Sequence, residues 1–129
     1  MSTPRILVVD DEADIRNLLH DILTDEGYAV DLASNVGQAR EARATNEHDL
    51  ILLDIWMPDA DGISLLREWV SGDGLTCPVV MMSGHGTIEA AVEATRLGAS
   101  DFIEKPLSLS KLLQVVKQAQ LPNTLELIR

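Results

Sequence analysis

Hydrophobic positions along this chain follow two alternating rhythms. Short unbroken apolar runs, Ile6-Leu7-Val8-Val9, Leu50-Ile51-Leu52-Leu53 and Pro78-Val79-Val80-Met81-Met82, read as strands buried on both faces, as in a parallel sheet. Tyr28 to Ala33 and Asp101-Phe102-Ile103 are shorter candidates of the same kind. Between the runs, apolar residues recur at helical spacing: Ile15, Leu18, Leu19, Ile22 and Leu23, then Ile63, Leu65, Leu66, Trp69 and Val70. The same spacing returns in Ile88, Ala91, Val92 and Thr95, and in Leu109, Leu112, Leu113 and Val116. Ser34 is placed to cap a further helix reaching about Asn46, whose apolar side (Val36, Ala39, Ala42) is thin. Gly27, Gly72, Gly74 and Gly98 stand where helices should stop.

Five strand-then-helix alternations predict an α/β fold with a five-stranded parallel sheet, doubly wound as (βα)5 in three α/β/α layers. Residues 1–119 form one domain in this reading. Leu121-Pro122-Asn123 reads as a break, leaving 120–129 as a tail or the start of a linker.

What the strands end in matters more than the strands. The first run stops at Asp10-Asp11, the central one at Asp54, the fourth at Ser83, and Lys105 lies just past the fifth. Parallel strands present all their C-terminal ends on one edge, where open α/β sheets bind ligands. Each residue alone could be a solvated turn or an exposed salt bridge; their coincidence at four strand ends argues for a site. Clustered carboxylates repel unless a cation sits among them. Mg²⁺ fits, because it uses few carboxylates, keeps waters and is completed by a phosphate oxygen. Lys105, the first lysine of the chain, would make a point-charge contact to an anion. A carboxylate can also attack phosphorus to give an aspartyl-phosphate, and such transfer asks mainly for positioning and charge neutralisation.

Composition narrows the partners. Of 129 residues, 21 are acidic and 10 basic, for a net charge of -11, which argues against direct binding of nucleic acid or an anionic membrane. No run is long enough to cross a membrane, and a single Cys77 excludes an internal disulfide and a cysteine-type zinc site. The expectation is a soluble cytoplasmic domain with a buried, inert thiol.

These residues, Val8-Val9-Asp10-Asp11-Glu12, Asp54 with Met57-Pro58 and Asp61-Gly62, Ser83-Gly84 and Lys105-Pro106, resemble the receiver domain of bacterial two-component response regulators over roughly residues 5–119. The resemblance implies a flavodoxin/CheY-like fold and a phosphoryl group taken by Asp54 from a sensor histidine kinase. It implies Mg²⁺ held by Asp11 and Asp54, by Asp10 through water, and by the backbone carbonyl of Trp56. Ser83 would be the switch hydroxyl, Lys105 the phosphate contact and Phe102 the switch aromatic, without the hydroxyl of the commoner Tyr. The implied protein is no enzyme, promoting only its own phosphorylation and dephosphorylation.

Ser83-Gly84-His85-Gly86-Thr87 and Gly98-Ala99-Ser100-Asp101-Phe102 resemble receivers of the NtrC/NtrX class more narrowly. Those are usually followed by an AAA+ ATPase acting on sigma-54 polymerase and by a DNA-binding helix-turn-helix, for which this chain has no phosphate loop. It reads as a receiver cut from a longer regulator, with a stand-alone receiver acting by protein contact as the alternative. A Mg²⁺-dependent aspartyl-phosphate phosphatase is the remaining alternative; enzymes of that kind place a second Asp where Trp56 stands. Trp56 is expected half exposed at the mouth, influencing donor entry and hydrolysis. His85 reads as a solvent-facing loop residue, and His20 and His48 give no ligand spacing. Exposed Glu89, Glu93, Arg96, Lys111 and Gln114 mark a face expected to carry a phosphorylation-linked homodimer or partner contact.

Overall fold

The computed structural model describes residues 3–84 and 88–128, with Ile88 and residues 120–128 described in backbone course alone. His85 and Gly86, and the flexible loop expected there, lie outside the described residues. In chain order the elements are β1 (Arg5–Val9), α1 (Ala13–Asp25), β2 (Ala29–Ala33), α2 (Val36–Thr45) and β3 (Leu50–Asp54). They continue with α3 (Gly62–Ser71), β4 (Val79–Ser83), α4 (Ile88–Leu97), β5 (Asp101–Glu104) and α5 (Leu109–Ile128). All neighbouring strands are parallel, in the order β2-β1-β3-β4-β5.

The unbroken apolar runs are explained by helices on both faces. Successive strand side chains point to opposite faces. Leu7, Val9, Ile51, Leu53, Val79 and Met81 join the layer of α2, α3 and α4, in which Val36, Ala39, Ile63, Leu66, Trp69 and Ala94 are buried. Ile6, Val8, Leu50, Leu52, Val80 and Met82 face Leu19 and Leu23 of α1 and Leu112 and Val116 of α5. Each such side chain, fully buried, is worth roughly 1.5–3 kcal/mol of transfer free energy, so β3 and β4, both buried along their whole length, are the most firmly held strands. The N-terminal edge is tied by charge: Asp31 of β2 pairs with Arg5 of β1 at 2.8 Å and with buried His48 Nε2 at 2.7 Å.

Four details depart from the sequence reading. Asn35, not Ser34, is the N-cap of α2: its side chain accepts from the Gln38 N–H at 2.8 Å, while the Ser34 N–H and hydroxyl both donate to Gln38 Oε1. Leu18, Val70, Val92 and Leu109 are exposed, because the buried strip of each helix is narrower than its apolar stripe. Helix α5 runs through Pro122 to Ile128, where the sequence predicts a break. His48, which the sequence leaves without a role, is a buried partner of Asp31.

Candidate functional site

The sheet order reverses between β1 and β3: from β1 the chain steps outward to β2, then returns to β3 and continues to β4 and β5. A crevice opens at such a reversal, above the strand C-termini. Asp10 follows β1 and Asp54 ends β3, with 0% and 3% of their surface exposed, and Ser83 at the end of β4 is 0% exposed. Backbone bonds carry the strand ends past the sheet in register. The Asp10 N–H donates to the Ala33 carbonyl (3.0 Å), Ile55 N–H to the Met82 carbonyl (3.0 Å) and Lys105 N–H to the Ser83 carbonyl (2.8 Å). The Lys105–Pro106 peptide bond is cis.

Lys105 brings the acids to one point. Its Nζ lies 2.7 Å from Asp10 Oδ2, 3.3 Å from Glu12 Oε1 and 3.5 Å from Asp54 Oδ2. The contact with Asp10 is an ion pair made off the hydrogen-bond direction, and buried Asp10 Oδ2 takes no well-aligned bond among the described residues. Asp10 Oδ1 accepts from the Glu12 N–H at 2.9 Å, and the Arg16 guanidinium donates to the Asp10 carbonyl at 2.8 Å. Carboxylate oxygens of Asp10, exposed Asp11 and exposed Glu12 lie within 4.8 Å of one another, a spacing that could hold a metal ion.

One ammonium among so many carboxylates leaves the edge short of positive charge. Burial, and next the Asp10 carboxylate, push Asp54 up to about 7 against the opposing pull of Lys105. Burial by itself would lower Lys105, but Asp10, Asp54 and Glu12 outweigh it and hold the ammonium above its ordinary value. The under-bonded Asp10 Oδ2, the acidic group and the raised Asp54 together fit a divalent cation with oxygen ligands.

The segment after Asp54 is pinned to both sides. Met57 and Ala60 pack on the α2/α3/α4 core, whereas Trp56 stays 55% exposed beside the crevice, as its position in the sequence suggests. The Gly62 N–H donates to the Ile55 carbonyl at 2.6 Å. A Cβ at Gly62 would collide with the Asp54 carbonyl oxygen, so only glycine lets α3 begin this close behind β3. Asp61 caps α3, accepting from the Ser64 N–H at 2.7 Å.

Phe102 stands in register with Met81 and packs, half-buried, on the α3/α4 side of the sheet, two strand positions inside the edge that holds Ser83. The structure thus gathers Asp10, Asp54 and Lys105 by direct contact, sets Asp11 at the rim, holds Ser83 to Lys105 through the backbone, and leaves Phe102 beneath. Glu12 enters the sequence reading only as the last residue of the Val8–Glu12 motif, and its contact with Lys105, 93 residues away, leaves no local signal. Asp59 carried no sequence signal.

A cavity of about 520 Å³ lies at the opposite, N-terminal edge, lined by Arg43, His48, Trp69 and Cys77 among others. It is not the better candidate. Arg43 is committed to the Gly74 carbonyl and to the Trp69 ring, 4.8 Å below its guanidinium carbon. Burial pushes the Cys77 thiol up to about 11, far from a reactive thiolate. The acidic edge, by contrast, holds two buried carboxylates, Asp10 and Asp54, against the Lys105 ammonium.

The response regulator receiver domain family matches residues 6–117. A putative NtrX-like response regulator of Rickettsia bellii is 43% identical over 92% of this chain, which spans 25% of that protein's length. The receiver domain of NtrX from Brucella abortus is 46% identical with a TM-score of 0.81, covering 88% of this chain and 96% of that one. A CheY-like receiver domain protein of Methanospirillum hungatei is 32% identical with a TM-score of 0.84, covering 91% and 93% of the two chains. Sheet order, the acidic crevice at its reversal and the family match agree: this chain belongs to the response regulator receiver domain family.

Proposed function

We propose that this receiver is a phosphorylation-dependent switch whose acceptor is Asp54. The observation that carries the reading is the convergence of Asp54, Asp10 and Lys105 at the sheet reversal, within 3.5 Å of one ammonium. An Asp54 carboxylate oxygen attacks phosphorus, and the bond from phosphorus to the donor's nitrogen or oxygen breaks, its electron pair leaving with the donor. The donor is the phosphohistidine of a sensor histidine kinase. Asp10, Asp11, Asp54 and the Trp56 carbonyl would hold Mg²⁺, which supplies charge neutralisation for the acids and for phosphoryl oxygens when bound.

This chain's own residues do the rest. Lys105 exchanges part of its contact with Asp10 and Glu12 for the new dianion, since a phosphoryl group concentrates more negative charge than the carboxylates around it. The Ser83 hydroxyl donates to a phosphoryl oxygen, drawing the end of β4 inward. The half-buried Phe102 then repacks beneath it without any hydroxyl of its own. The face affected is α4, β5 and α5, where Glu89, Glu93, Arg96, Lys111 and Gln114 are exposed. It acts as a phosphorylation-linked contact for a second copy or a partner. The chain turns over no external substrate; it promotes its own phosphorylation and dephosphorylation, in the cytoplasm.

The output reading goes further. The chain spans about a quarter of the length of the NtrX-like relatives it matches. In the regulator we propose around it, an AAA+ ATPase acting on sigma-54 polymerase and a helix-turn-helix follow residues 120–129. Among the described residues no helix is long and apolar enough to cross a membrane.

Beryllofluoride, which occupies an acceptor carboxylate as a stable phosphoryl mimic, tests the switch. With Mg²⁺ it should move the backbone amide resonances of Asp54, Ser83, Phe102 and Lys105 and extend along α4 and α5. Shifts confined to the Asp10–Glu12 segment, or none at excess mimic, would contradict it.

A further inference from the structure

The segment joining Asp54 to α3 carries, on the reading above, a metal ligand that is not a side chain: the carbonyl of Trp56. A backbone ligand is useful only if the backbone is held, because a carbonyl on a freely moving loop loses on ordering what it gains on binding. Three restraints are already described. Met57 and Ala60, partly buried, pack against the core, Asp61 caps α3, and the Gly62 N–H closes onto the Ile55 carbonyl. They hold the segment's far end and its apolar side, and leave its outer turn, at Pro58-Asp59, to be fixed by something else.

That contact is made across the fold to α2. Asp59 Oδ1 and Oδ2 each accept from the Val36 N–H at 3.1 Å, and Oδ2 also accepts from the Gly37 N–H at 3.3 Å. These N–H groups belong to the first two residues of α2, which have no intrahelical partner, and the helix dipole favours a carboxylate there. The N-cap of α2 is satisfied separately by its own Asn35, which accepts from Gln38. Asp59 is therefore not needed to start the helix. It is a link between two elements 22 and 23 residues apart in sequence. Alternate acids of one short loop, Asp59 and Asp61, thus grip the N-termini of two different helices.

We propose that Asp59 is a positioning residue of the metal site: by docking the 56–61 loop on the N-terminus of α2, it holds the Trp56 carbonyl where Mg²⁺ needs it. The inference rests on the Mg²⁺ site proposed above. It also makes α2 a direct neighbour of the acceptor loop, so that helix should respond when the site fills.

Mg²⁺ affinity, measured on the unphosphorylated chain by isothermal titration with MgCl2, separates positioning from mere stability. Asp59→Ala should raise the Mg²⁺ dissociation constant about tenfold, the low end of what supports of metal ligands are worth. Asp59→Asn keeps an acceptor for the same amides and should stay near wild type. Asn35→Ala, which weakens the same helix end without touching the loop, should lower the melting temperature and leave Mg²⁺ affinity unchanged. Equal affinity in Asp59→Ala and wild type would overturn the proposal, as would an Asn variant as weak as the Ala variant, which would make the effect one of charge alone. A wild-type chain that binds no Mg²⁺ would remove the metal reading, and this inference with it.

Discussion

At the scale of single residues, the site is organised around a shortage of positive charge. Asp54 is buried beside Asp10 with Lys105 set against both, and burial, then Asp10, push its carboxyl up to about 7. The sign of the consequence follows from linkage. Between the unfolded value near 4 and the folded value near 7, the native state holds a proton that the unfolded state has lost, so this group's contribution makes stability fall as pH rises. Asp54→Asn removes that penalty. Urea denaturation without divalent cation should show the variant gaining on wild type from pH 5 to pH 8, by an amount on the order of a few kcal/mol at the upper end. A constant difference across that range would mean that Asp54 is ionised throughout. The carboxylates, Ser83 and Lys105 were legible in the sequence because each sits where an apolar run stops. Glu12 and Asp59 were not, because their partners lie 93 and 22 or 23 residues away and no periodicity reports a contact at such a distance.

At the scale of elements, the strands were legible where burial on both faces suppresses alternation, and β1, β3 and β4 stand where their apolar runs predict. Helix boundaries were less so. Asn35 displaced Ser34 as the cap of α2 because Ser34 is engaged by the Gln38 side chain, a competition that local propensity does not resolve. Exposed Leu18 and Val92 show that helical spacing identifies a stripe and not its buried width. The junction between β3 and α3 is the tightest, because α3 starts directly behind the Asp54 carbonyl. Gly62→Ala should therefore cost at least about 1–3 kcal/mol, the range of an overpacked interior, and should disturb the acceptor as well as the fold. Thermal unfolding checks the first; a melting temperature equal to wild type would show that the junction can open without cost.

At the scale of the whole molecule, the fold does one thing for function: it carries residues from β1, β3, β4 and the end of β5 to one edge and buries the strands that bring them there. A net charge of -11 adds a general repulsion of phosphate, against which Lys105 sets a local positive charge at this edge. The layered architecture and the site edge were readable from the alternation of runs and the residues ending them. The α2 link to the acceptor loop, and the continuous α5 past Pro122, needed the three-dimensional arrangement. The most direct test of the account is intact mass after incubation with acetyl phosphate, with and without Mg²⁺, on wild type and Asp54→Asn. One phosphoryl group added to wild type only in the presence of Mg²⁺, and none to the variant, is the predicted result; equal phosphorylation of the variant would contradict it.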